Sequence, residues 1–172
     1  MKLEQLMQQI LSARILPWLI AAAAAAVLAA VHILEAHGWT PCQLCLEQRI
    51  PYWVGASVAL IAAIAAVPRF NLMFVSSLLM ALAAASFLVG IGLAIQHMGV
   101  EQHWWRSTCS GGGTKSIADM LASIGKKPIV ACDEKRPFLF GLTLTNYNLI
   151  VSAILTVLAA SIPVRKIAGR LK

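Results

Sequence analysis

All of the chain's thiols come in two pairs, Cys42 with Cys45 and Cys109 with Cys132. Two residues between Cys42 and Cys45 bring the sulfurs within reach of a reversible disulfide, and a nearby helix N-terminus or cation makes such thiols reactive by lowering their pKa. Arg49 follows Cys45 by four residues. In a helix beginning near Cys45 the two side chains share a face, where the guanidinium stabilises a Cys45 thiolate or a developing anion on a bound oxidant. The same residues have plainer uses: a CxxC pair also serves as half a zinc site or as a staple, and an arginine at a membrane boundary snorkels. Against c-type haem attachment, Leu46 and not histidine follows Cys45. Zinc would require comparable spacing in the second pair, yet 22 residues separate Cys109 from Cys132. A redox pair without a metal is the expectation.

The elements that must position these thiols are apolar runs. The chain has 172 residues, 59% hydrophobic and 12% charged, with a mean hydropathy of +0.77, which is too apolar for an ordinary soluble domain. Residues 15–34, 50–67, 72–95 and 147–164 carry no charged side chain. Each is long enough to cross about 30 Å of hydrocarbon as a helix. The expected fold is therefore all-α, one membrane domain over 1–172: a four-helix transmembrane bundle with outer loops at about 35–49 and 96–146. Only 68–71 joins spans two and three, which makes them antiparallel neighbours, and Ala62, Ala63, Ala66, Ala83, Ala84 and Gly90 permit close packing. The first run also admits a secretory-signal reading. Its 20 residues exceed a signal core of about 7 to 15, however, and cleavage would leave an odd number of spans.

Every cysteine falls in a loop between runs, on one side of the bilayer. Lys2, Arg14, Arg69, Arg165, Lys166, Arg170 and Lys172 lie on the other side, in short segments beside helix ends, and the remaining seven basic residues are mostly spread through the long second loop. That density places the termini inside and the cysteine loops outside. The net charge of +7 is thus a topology signal; with no basic run interleaved with aromatics, nucleic acid is not an expected partner.

The second loop has an aromatic part around Trp104 and Trp105, a flexible Gly111, Gly112 and Gly113 after Cys109, and a short amphipathic helix over 116–125. In that helix Ile117, Met120, Leu121 and Ile124 fall at i, i+3, i+4 and i+7, Ser116 with Asp119 resembles a capping box, and Gly125 ends it. It lies flat on the bilayer or packs on the bundle; the pattern is the same. The glycines present Cys109 on a mobile segment, or Cys109 and Cys132 staple an exposed loop. His97, at the outer end of span three, is an interfacial group or serves proton transfer or a polar head group.

Taken together, four spans, Pro-Cys-x-x-Cys-x-x-x-Arg ending at Arg49, His97 closing span three, and a Cys109/Cys132 loop ending Cys-Asp-Glu-x-x-x-Phe-Leu-x-Gly-Leu resemble the bacterial disulfide bond formation protein B (DsbB) family. The likeness covers nearly the whole chain, although the Cys109 to Cys132 segment is somewhat shorter than in the best-known member. It implies an inner-membrane, quinone-dependent oxidoreductase that reoxidises a periplasmic thioredoxin-fold dithiol oxidase, DsbA, and passes electrons to ubiquinone or menaquinone. By resemblance, Cys109 forms the mixed disulfide with the partner and Cys132 is its mate. Cys42 exchanges with that pair, Cys45 reacts with quinone, and Arg49 and His97 bind the quinone. The competing expectation is a non-enzymatic membrane protein with a stapled ectodomain or a zinc site. An outward-working reductase would need a cytosolic carrier cysteine, and the sequence places none there.

Overall fold

The computed structural model describes residues 14–67, 69–70, 72–106, 109 and 131–170, with side chains to residue 164. The amphipathic helix expected at 116–125, and Pro68 and Asn71 of the second turn, lie outside the described residues.

Helix α1 (Leu16–Ala36) starts on Pro17, whose fixed φ and missing N–H suit a first turn. It buries Leu16, Ile20, Ala24 and Leu28 at four-residue intervals. Its end is a Schellman turn: Gly38 takes φ +93°, the Gly38 N–H donates to Glu35 O at 3.0 Å and the Trp39 N–H donates to Leu34 O at 3.1 Å. The chain then reverses into a five-residue helix, α2 (Gln43–Glu47), and on into α3 (Ile50–Ala65). The stretch from Gln43 to Ala65 is long and apolar enough to span as one helix, but Pro51 offers no N–H to Glu47 O. The Arg49 N–H instead donates to Leu46 O at 3.1 Å, tightening one turn, and the helix restarts when the Trp53 N–H donates to Arg49 O at 3.0 Å.

Helix α4 (Met73–Glu101) has 29 residues, about nine more than the hydrocarbon core requires. It continues past the charge-free run because Glu101 is buried against hydroxyl donors on the next element. A two-residue turn at Phe140 and Gly141, both at positive φ (51° and 76°), closes an antiparallel hairpin of β1 (Pro137–Leu139) and β2 (Leu142–Thr143). The chain then enters the last helix, α5 (Leu144–Arg170).

Helix α4 packs against both α3 and α5, and α1 lies on α3 with lighter contact to α5. Four helical stretches, α1, α2 continued by α3, α4 and α5, are long and apolar enough to cross a membrane. Small side chains fill the seams, with Ala24, Ala59, Ala62, Ala63, Ala83 and Ala159 buried, while Leu60, Ile61, Leu78, Leu82, Leu88 and Val157 point outward. That inversion is what lipid as solvent demands: large apolar groups lose nothing by facing it, and close backbone approach supplies the cohesion. At Gly55 a β-carbon would sit 2.5 Å from Cζ of the fully buried Phe87 ring. Gly55→Val is therefore expected to destabilise the bundle by about 1–3 kcal/mol, read as a lower unfolding midpoint in detergent, and an unchanged midpoint would show that the seam can yield.

Candidate redox site

The CxxC pair is built by the start of α2. Cys42 is the N-cap residue, and its Sγ accepts from the Cys45 backbone N–H at 3.2 Å. That cap brings the two free sulfurs to 2.6 Å, with the Cys42 thiol donating to the Cys45 sulfur. The Cys42 thiol is pushed well above its ordinary range by this hydrogen bond, then by burial and by negative charge on Cys45. Of the two sulfurs, Cys45 is the acceptor in that hydrogen bond.

The second pair is already joined, Cys109 to Cys132, with 6.1 Å between α-carbons. Cys42, Leu44, Val100 and Cys132 form one buried cluster at the end of the bundle, with Cys45 and Cys109 packed against it. The two outer loops are clamped together to achieve this. Trp39, after α1, meets Phe138 of β1 edge-to-face at 5.6 Å and lies under the Arg136 guanidinium at 5.4 Å. Lys135 Nζ donates to Gln102 Oε1 at 2.8 Å, and Tyr147 Oη donates to Leu139 O at 2.9 Å. At Gly99 a β-carbon would collide with the Trp105 indole, whose Nε1 donates to Gln96 O at 3.0 Å. The aromatic segment thus folds back over the end of α4.

His97 stands one turn before the end of α4, and only 3% of its surface is exposed. Its Nε2 lies 3.6 Å from Cys42 Sγ and 3.8 Å from Glu101 Oε1. On the other side of the ring, Gln48 Nε2 approaches Nδ1 at 2.8 Å, the Gln48 amide being oriented by Asn148 Nδ2, which donates to Gln48 Oε1 at 2.6 Å. A Gln48 amide donating to Nδ1 leaves the neutral ring's proton on Nε2, directed at Cys42 and Glu101. Glu101 is buried and doubly held: Thr145 Oγ1 donates to Oε1 at 2.6 Å and Thr143 Oγ1 to Oε2 at 2.9 Å. The Thr145 oxygen also lies 3.2 Å from His97 Nδ1.

Arg49 does not cap Cys45 alone, as its spacing implied. Its guanidinium makes a two-pronged pair with Glu35 at the end of α1, at 3.1 Å and 2.7 Å. Beside it Leu46, Ile50 and Trp53, spaced i, i+4 and i+7, form an exposed apolar stripe. All six sequence candidates thus gather at one end of the bundle. The sequence reading missed Glu35, Gln48, Glu101, Thr143, Thr145 and Asn148 as members of the site. Glu101 had a legible signal, since it falls four residues after His97 on one helix face. The others are polar residues of ordinary types, revealed only by their partners.

Searches of curated proteins and of solved structures returned no match. A family model described as disulfide bond formation protein DsbB does match, over residues 13–162. With that match covering most of the chain, and with four helices able to cross a membrane and two cysteine pairs packed at one end of them, the chain belongs to the DsbB family of membrane oxidoreductases for disulfide-bond formation.

Proposed function

We propose that this protein is a bacterial inner-membrane thiol:quinone oxidoreductase that reoxidises a periplasmic DsbA-like dithiol oxidase and so sustains protein disulfide formation. Electrons enter at Cys109–Cys132, move to Cys42–Cys45 and leave to ubiquinone or menaquinone; the termini are cytoplasmic and the cysteine loops periplasmic. The observation that supports this best is the single buried cluster shared by both cysteine pairs. A staple and an unrelated CxxC have no need to touch, whereas a relay does.

Each exchange replaces one disulfide by another. A partner thiolate attacks Cys109, forming a mixed disulfide and releasing Cys132 as thiolate, and the partner's second thiolate then closes its own disulfide and frees Cys109. Cys132 next attacks oxidised Cys42–Cys45 at Cys42, and Cys45 leaves as thiolate. Cys109 resolves the Cys42–Cys132 link, restoring Cys109–Cys132 and leaving Cys42 and Cys45 reduced. His97 Nε2, 3.6 Å from Cys42 Sγ, is placed to hydrogen-bond through its N–H to the Cys42 sulfur as that sulfur leaves as thiolate.

The residues around Cys45 fit a quinone: a half-buried thiol and guanidinium beside an apolar stripe open to lipid. Bound there, a quinone supplies a lipid-soluble acceptor of two electrons and two protons. A strong acceptor is needed, because DsbA-type partners sit near about −120 mV and each 30 mV uphill costs about 1.4 kcal/mol. Arg49 holds a cation at the mouth, and Glu35 fixes its direction.

The test is quinone reduction followed by ultraviolet absorbance, with the purified protein in detergent and a reduced thioredoxin-fold dithiol protein. Turnover with ubiquinone or menaquinone is expected; a folded protein inert toward both overturns the proposal. In the same assay Arg49→Ala should raise the quinone KM roughly 10- to 100-fold, the worth of a charge-assisted contact, with thiol exchange at Cys109 intact. An unchanged quinone dependence rejects the role given to Arg49.

A further inference from the structure

Sequence spacing argued against zinc because the second cysteine pair is too widely spaced to complete a four-sulfur site. The fold brings a different third donor to the first pair. Sγ of Cys42, Sγ of Cys45 and a ring nitrogen of His97 all lie within 4.8 Å of one another. We propose that the reduced Cys42, Cys45 and His97 side chains form a binding site for one zinc ion, with the fourth coordination position open.

The distances support a tetrahedral site. With Zn–S about 2.3 Å and Zn–N about 2.0 Å, a tetrahedral angle puts sulfur and nitrogen about 3.5 Å apart, close to the 3.6 Å between Cys42 Sγ and His97 Nε2. The sulfur-to-sulfur edge would be about 3.8 Å, so Cys45 Sγ must swing outward from its present 2.6 Å. Its side chain is only half-buried, at the edge of the cluster it packs against, and it lies on a five-residue helix of its own, which leaves the swing an open side. Ligating histidines bind through one nitrogen and donate from the other. Ligation through Nε2 moves the ring proton to Nδ1, where Thr145 Oγ1 at 3.2 Å is placed to accept it as the Gln48 amide gives way. Glu101, 3.8 Å from Nε2, adds negative charge beside the cation.

Binding replaces the two thiol protons by one Zn²⁺, with no change in oxidation state. With both sulfurs on the metal no thiolate is free to close the Cys42–Cys45 disulfide, and once that disulfide is closed the site is gone. Zinc therefore acts as a brake that engages only on the reduced enzyme. The binding itself does not depend on the proposed quinone reaction.

The experiment uses full-length, untagged, chelator-washed protein in detergent. One portion is reduced with a phosphine that is then removed, the other is oxidised with diamide, and each is titrated with zinc chloride against a chromophoric chelator. A Cys109→Ser/Cys132→Ser variant, reduced in the same way, leaves only the first pair. Expected are one zinc per chain in the reduced variant, a site lost from the wild type on oxidation, and a thiolate-to-metal charge-transfer band when cobalt(II) is substituted. His97→Gln should weaken binding about tenfold or more. Equal zinc uptake by reduced and oxidised wild type overturns the proposal, as does His97→Gln protein that binds as tightly as the parent.

Discussion

Cys45→Ser is expected to lower dithiol-driven quinone reduction by about three orders of magnitude or more, the scale on which a covalent relay fails when a reacting atom is removed. The protein should nevertheless fold, because Cys45 is half exposed and lies outside the helix seams. Cys42→Ser should be equally inactive and equally folded for a more specific reason. Cys42 caps α2 through its sulfur, and serine is among the best N-cap residues, so the short helix survives the exchange. Activity by the absorbance assay and the unfolding midpoint in the same detergent decide the matter. Variants that keep turnover and lose only stability would mean that the pair is a staple.

Glu101→Leu is expected to cost about 2–5 kcal/mol of stability, seen as a large drop in the unfolding midpoint. The carboxylate is 5% exposed and is the acceptor for both Thr143 and Thr145. Removing it strands the buried Thr145 hydroxyl and the half-buried Thr143 hydroxyl and leaves His97 without its counterion, and stranded donors cost more than the net value of the bonds they made. Glu101→Gln keeps an acceptor oxygen for Thr145 and should retain most of the stability while slowing turnover, because only the charge opposite His97 is lost. Equal stability in the leucine variant would show that the hydroxyls find other partners.

The parts of this fold that could be read from the sequence are local. Charge-free runs mark the helices because the bilayer penalises charge within one segment, and the CxxC spacing fixes its own geometry through the cap at Cys42. The site's polar lining was not legible, because its bonds join residues far apart in sequence: Gln48 meets His97 across 49 positions and Asn148 across 100. Arg49 illustrates how a distant partner adds to a local argument. Four-residue spacing sets it beside Cys45, and its two-pronged pair with Glu35, 14 positions away at the end of α1, is invisible in that spacing. The length of α4 was missed for the same reason, since Glu101 ends a charge-free run in sequence and is buried by hydroxyls from the following hairpin and α5.

The interruption at Pro51 gives the reactive turn its own cooperativity. A continuous 23-residue helix would tie Cys45 to the opening free energy of the whole bundle; with the ladder broken after Glu47, α2 is anchored by the Leu44 side chain and by the Gln48 bridge to α4 and α5. Amide hydrogens at 45–48 should therefore exchange through a low-energy local opening while those of α3 wait for global unfolding. The CxxC sulfurs can then be re-aimed without disturbing the membrane-spanning part of the molecule.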